Sequence, residues 1–401
     1  MGNLLLASVI DLATTRVEAA DYYWDGTTGD YNTPTNWDPD YPIGNPTTGD
    51  FMYVNNDGTC QITSGITINS PLYVYAGQGA GTAGTILQSG GLADISGGLR
   101  IGRAGGTGVY DMTGGSVYGR AITEASLYSL LVGDGAGSDG TLNMSGSAAG
   151  TFQGLSAQIG SKGGAGQLDM SGTATLNFNF TPRDVWSWEG FLVGNGVDSS
   201  AGNPTYGTVF LRDNASIDIS NGYTSIGIWQ YSHATMSLTE NASFTTNADM
   251  AIGDNWNDPD PEDSTPPHSE GNVDLSGNST LNVGIGLRVG KLPYGVGSLN
   301  LSDSAKATVG TRVEVGYWGG TGALVIADTA EFNHAGGDVR VGTEVYGTTA
   351  AEGTVVMDGG TFNNLSAGAT IRIGYVGGIG AWTQNAGTLA NPNGSIVLGD
   401  Q

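Results

Sequence analysis

Aromatic residues recur at one place in this sequence, just after a glycine that closes a short apolar strand. Trp229 and Tyr231, Trp256, Tyr294, Trp318, Tyr346 and Tyr375 all stand within a few residues of such a glycine. Stacked in register they would line one edge of the molecule. Sugar rings present C–H faces that pack on aromatic faces, and a rigid support removes the ordering cost. Trp229, Trp256, Tyr294, Trp318 and Tyr375 are therefore candidate carbohydrate-binding residues; the alternative is that these rings cover the turn backbone and one another. A second concentration is acidic, with Asp254, Asp258, Asp260, Glu262, Asp263 and Glu270 crowded into one stretch. Calcium takes several carboxylate and carbonyl oxygens on a flexible loop. Asp254, Asp258, Asp260 and Glu262 are thus candidate calcium ligands, although no glycine stands at the sixth position of an EF-hand loop and a solvated acidic loop would look the same.

Catalytic arrangements are thin. His233, His268 and His334 fall at unrelated positions, which gives no support to a Ser-His-Asp arrangement. Abstraction of a proton beside a uronate needs a base and a cation, and Lys291, Tyr294 and Arg288, next to the acidic stretch, are the best candidates for a polysaccharide lyase. Paired carboxylates for glycoside hydrolysis occur on any acidic repeat protein. The strings Gly77-Gln78-Gly79-Ala80-Gly81 and Gly133-Asp134-Gly135-Ala136-Gly137 imitate phosphate loops, but no helix follows whose N-terminus would hold the phosphate.

Charge narrows the partners. A formal net charge of −25 with 13 basic residues repels nucleic acid and anionic lipid surfaces. Polysaccharide, a cell-surface matrix or a divalent cation fits better. Cys60 is the single cysteine, so no internal disulfide framework exists. Residues 1–20 hold an apolar run and a small-residue site before Asp21, consistent with a leader, yet they lack a basic start and Asp11 interrupts the run; a mis-assigned or truncated start is the alternative. No run of about 18 apolar residues is present to span a membrane as a helix.

The elements that must position these residues are short strands. A strand of the form apolar, any, apolar, glycine recurs with its glycine at 102, 133, 160, 194, 227, 253, 290, 316, 342, 374 and 399, and the shortest steps are 25 to 27 residues. Two further runs of alternating apolar residues follow most of these glycines, as Val273/Leu275 and then Leu281/Val283 do after Gly253. Glycine is 69 of 401 residues, far above the usual share of roughly 7%, and it falls at turns. Repetition at this period marks a solenoid. The expected fold is an all-β, right-handed parallel β-helix with three strands per coil and roughly 11 to 12 coils over residues 64–401. Residues 21–63, rich in aromatics and proline, are expected to cap its first edge. Insertions interrupt the pattern at 181–190, 195–206 and 254–270.

The opening Tyr22-Tyr23-Trp24-Asp25-Gly26, with Asn36-Trp37, Gly49-Asp50 and tandem L-R-I-G and L-x-M-S-G units, resembles the secreted glycine-rich β-solenoid proteins related to autotransporter-associated β-strand repeats. Similar proteins are common in planctomycetes and often carry a C-terminal sorting anchor. The resemblance implies a β-helix located outside the cell or on its surface, and it assigns no catalytic residue. The most direct reading is a structural or adhesive surface protein; a lyase or glycoside hydrolase and a filament subunit are the alternatives.

Three finer expectations follow from stacking the coils. Val289, Val315, Val341 and Ile373 should share one interior column. Arg288, Glu314 and Arg340 should form a row of alternating sign on a solvated outer face, with Arg100, Leu131, Gln158 and Leu192 earlier in that row. The chain stops just after the strand at 396–399, so either the protein continues or that end pairs with another subunit, continuation being preferred.

Overall fold

A computed structural model describes residues 20–39, 50–69, 71–120, 128–181, 189–256, 268–366, 368–392 and 394–399. Residues 1–19 of the expected leader at 1–20, Asp258, Asp260 and Glu262 of the acidic stretch, and residues 182–188 of one insertion lie outside the described residues. Among the described residues there is no α-helix; strands make two long, largely parallel sheets of 15 and 23 strands. Each strand of a repeat pairs with its counterpart in the next. Tyr73–Gln78 pairs with Gly98–Arg103, Ala83–Gln88 with Thr107–Met112, and Leu92–Ile95 with Ser116–Arg120. The first series, which ends with Thr370–Tyr375 beside Ser395–Leu398, forms the 15-stranded sheet, and the second and third series form the other.

Parallel in-register pairing places like residues on like residues. Val289 lies beside Val315, Val315 beside Val341, and Val341 beside Ile373, as the repeat pattern requires. The column extends back through Ile101, Val132, Ile159, Val193, Ile226 and Ile252. Every member is β-branched, the shape that packs best on a pleated surface. Phenylalanines also stack in the interior, Phe152 on Phe178 and Phe332 on Phe362.

Two glycine columns make the corner between the first and second series. The glycine closing each first-series strand is left-handed, as at Gly133, Gly253, Gly290 and Gly316. The second column, Gly271, Gly297, Gly322 and Gly353, sits on the paired second-series strands. A Cβ on Gly290 would overlap the Thr321 carbonyl, and one on Gly322 would overlap the Val289 carbonyl and the Gly316 amide. Backbone therefore packs directly on backbone here. Ala234 replaces the second glycine in the repeat of Gly227, where the sequence pattern is also weakest.

The outer face of the 15-stranded sheet changes along its length. At the start Tyr23, Tyr53 and Tyr75 stack with ring centroids 4.9 and 4.7 Å apart. Near the end Arg288 Nε lies 3.0 Å from Glu314, whose other oxygen lies 3.5 Å from Arg340, so the expected row of alternating sign is formed. The face is not solvated, contrary to expectation, and Glu314 at the centre of the ion row is itself only 3% exposed. Leu131, Gln158, Leu192, Ser225 and Ala251 occupy its row, and all are buried. Burial of this kind depends on what lies across the sheet, which a repeat pattern does not encode.

Two of the strands in 21–39 form one end of the 15-stranded sheet. Trp37–Asp38 runs antiparallel to Asp21–Trp24, which itself pairs parallel with Phe51–Val54. Trp24 and Trp37 meet edge to face at 5.0 Å, and the Trp37 indole donates to the Tyr31 carbonyl at 3.0 Å. These strands are thus continuous with the first series, which Phe51–Val54 joins by pairing with Tyr73–Gln78.

The crowding at the glycine corner is separable from left-handed strain. Gly290 and Gly347 have φ of 69° and 60°, but nothing lies within 4 Å of a Cβ on Gly347. Alanine at either position carries the left-handed cost of about 1–2 kcal/mol. Only Gly290→Ala must also displace backbone, so its denaturation midpoint should fall well below that of Gly347→Ala. Equal midpoints would remove crowding from the account.

Candidate functional site

In the turn that follows each first-series strand, one backbone hydrogen bond recurs from repeat to repeat. The N–H groups of Trp229, Asn255, Leu292, Trp318 and Glu344 donate in turn to the carbonyls of Asp254, Lys291, Tyr317, Thr343 and Tyr375. Equivalent turn positions are therefore occupied by Trp229, Asn255, Leu292, Trp318 and Glu344. Trp256 and Tyr294 come later in their turns, and Tyr375 precedes its turn on the strand Thr370–Tyr375. The continuous aromatic column is broken, because offset from the glycine decides where a side chain goes.

What forms instead is a pair of anchored tryptophans. Trp256 is 39% exposed; its Nε1 donates to Asp254 Oδ2 at 2.8 Å, and the Lys291 ammonium sits 3.8 Å from its ring centroid. Asp254 and Lys291 are register partners one residue past their glycines, with Nζ 3.1 Å from Oδ2. Their side chains are 0% and 6% exposed. The Tyr223 hydroxyl donates to the same Oδ2 at 2.6 Å. Burial pushes the Lys291 ammonium below its usual pKa, which the Asp254 charge partly offsets. Burial, reinforced by Asp254, holds the Tyr223 phenol well above its usual pKa. A cation over an indole face and an indole N–H on a carboxylate fix the ring from two sides.

Trp318 is 40% exposed and is fixed in the same manner. Its ring stacks on Tyr317 at 5.0 Å with 14° between planes, and its Nε1 donates to Glu344. Glu344 in turn lies 3.8 Å from Arg340 of the outer ion row. Tyr375 lies under Arg340 and Arg372, at 5.6 and 5.1 Å from its ring, and is half-buried. Tyr294 packs edge to face against His268 at 5.7 Å, and Trp229 is half-buried at its turn. Of the five candidate rings, Trp256 and Trp318 are the exposed ones.

The residues considered for a lyase are each engaged with other partners. Arg288 is committed to Glu314, the Lys291 ammonium to Asp254 and Trp256, and Tyr294 to His268. Asp254, the described member of the candidate calcium set, is taken by the same lysine. Among the described residues no three His, Cys, Asp or Glu side chains gather as metal ligands. His233 pairs with Glu270 at 3.0 Å on the surface, whereas His334 is buried between Asn364 and the Thr311 carbonyl.

Two features escaped sequence reasoning although a signal existed. Gly253-Asp254 and Gly290-Lys291 place opposite charges at one offset in adjacent repeats, which predicts their pairing. Tyr23, Tyr53 and Tyr75 stand at one position of the alternating runs that open the first series.

The buried pair makes a direct test of this arrangement. Lys291→Met leaves the Asp254 carboxylate buried without its cation and should cost about 3–5 kcal/mol in denaturant unfolding. Asp254→Asn/Lys291→Met keeps an acceptor for Trp256 and should recover most of that loss; a double variant as unstable as the single would show that the charges do not act as a pair. Comparison with protein-family models, with curated proteins and with solved structures finds no match.

Proposed function

We infer that the chain is a secreted or cell-surface β-solenoid, right-handed with three strands per coil, whose role is adhesive and structural rather than catalytic. Its partner is a polysaccharide or the polysaccharide matrix of a cell surface. The observation that carries this reading is the pair Trp256 and Trp318, each exposed and each held by its indole N–H on a carboxylate. A large aromatic left in water and fixed from below contributes nothing to a core, but it suits a ligand with an apolar face, because no ordering cost remains for binding. Gly253, Gly290 and Gly316 close successive repeats, so the strands that precede the two rings are two strand spacings apart, ~9.6 Å along the sheet. The resemblance to secreted glycine-rich solenoids supports the same location, and the net charge of −25 favours a neutral glycan over an anionic one.

Trp256→Ala/Trp318→Ala should weaken retention on an insoluble neutral polysaccharide by at least tenfold while the thermal transition stays within a few degrees of the parent. Unchanged retention would assign both rings to covering the turn backbone.

A further inference from the structure

Lys291 is a primary amine held against a carboxyl group with almost no exposure to solvent. Its side chain is 6% exposed and that of Asp254 is 0% exposed, and Nζ lies 3.1 Å from Oδ2. Two rings flank the amine, with the Trp256 centroid 3.8 Å and the Tyr223 centroid 5.7 Å from Nζ. Backbone bonds pin both residues, since the Trp229 N–H donates to the Asp254 carbonyl and the Asn255 N–H to the Lys291 carbonyl. As register partners on Met250–Asp254 and Gly286–Lys291 they cannot drift apart while the sheet holds. Two reacting groups held in this way have already lost the freedom that an encounter would cost.

The two carboxyl oxygens are treated unequally. Oδ2 accepts from Lys291 Nζ, from the Tyr223 hydroxyl at 2.6 Å and from the Trp256 indole at 2.8 Å, whereas Oδ1 has no hydrogen-bond partner among the described residues. A carboxylate spreads its charge over both oxygens, so burying one of them bare is costly. Two fixed donors on a single oxygen suit the tetrahedral intermediate of acyl transfer, because negative charge collects on that oxygen as the amine adds. The bare oxygen is then the one free to leave. Burial favours the neutral amine over the ammonium. Moving one proton within the pair gives the amine and the carboxylic acid that a condensation needs.

We propose that Lys291 and Asp254 condense to an amide, a covalent staple between two neighbouring repeats. Nζ gives a proton to Oδ1, its lone pair forms the Nζ–Cγ bond, and charge collects on Oδ2 under the Tyr223 and Trp256 donors. A second proton passes from Nζ to Oδ1, the Cγ–Oδ1 bond breaks, and one water leaves. The step is redox-neutral and needs no co-reactant. The carbonyl that remains at Oδ2 keeps both donors, and the bare oxygen is gone. The staple does not depend on what Trp256 binds. Lys306 and Glu331 supply a comparison inside the same chain, because Nζ lies 3.2 Å from Oε2 while the side chains are 52% and 40% exposed. Water stabilises the charged forms there, so that pair should stay unlinked.

Mass spectrometry of the full chain under denaturing conditions, followed by tryptic mapping, tests it. The parent should be one water lighter than its sequence, and trypsin should leave Lys291 uncut, giving peptide 213–288 joined to peptide 289–306. Lys291→Arg keeps a cation for Asp254 but not the reactive amine, and it should show the full mass. Tyr223→Phe removes one donor from Oδ2 and should lower the linked fraction at least tenfold, which keeps the comparison open if Lys291→Arg folds poorly. A parent of full mass that is cut after Lys291 would overturn the staple, and so would a water loss that maps to other residues. Linkage in Tyr223→Phe equal to the parent's would overturn the part given to the hydroxyl. Lys291→Met and Asp254→Asn/Lys291→Met both lack the staple, so the comparison between them still reports the charges alone.

Discussion

The rest of the structure depends on backbone meeting backbone at the corner between the first and second series. A left-handed glycine closes one strand, and an inward glycine of the next series lies against the same corner with no side chain between them. That contact narrows the geometry, because a Cβ on Gly290 or on Gly322 meets a carbonyl or an amide, and among the described positions of the second column Ala234 alone carries one. It sets where each second-series strand begins and therefore how many residues separate interior positions. The β-branched column and the outer rows inherit their register from it.

Much of this was legible in the residues themselves. Val289, Val315, Val341 and Ile373 announce their column because the glycine after each marks the phase of an alternating strand. Arg288, Glu314 and Arg340 announce their ion row for the same reason. The third series behaves likewise: Asn282 pairs with Thr245 and Thr308, and Asn333 with Asn363, along one polar ladder. Local pattern plus strict stacking is enough wherever each repeat contributes the same offset.

Legibility failed where offset or cover varied. Trp229 and Trp318 lie two residues past their glycines, Trp256 three and Tyr294 four, so grouping them as one column ignored the turn hydrogen bonds that distinguish those positions. The outer row at Leu131, Gln158 and Leu192 looked like surface because alternation reports which side of a strand a residue takes, not what faces it. Arg100 shows the energetic result: it is buried, its guanidinium donates to the Tyr128 carbonyl at 2.6 Å, and burial lowers its pKa to about 10. Functional candidates sit where the repeat is least regular, which is where pattern reading has least to offer.

Hydrogen bonds between successive repeats point along the stacking direction, and this gives the molecule a mechanical character. A pull along that direction draws repeats apart in an opening mode, with the bonds of every strand at one interface sharing the load. A pull along a single strand, across the stack, slides one layer past the next and must shear its bonds together while dragging Val315 and its neighbours out of their column. A surface tether that met force sideways would thus resist it more stiffly than one stretched end to end. Under the proposed function, in which Trp256 and Trp318 hold a partner on one edge, the direction of the applied force becomes part of how firmly it is held.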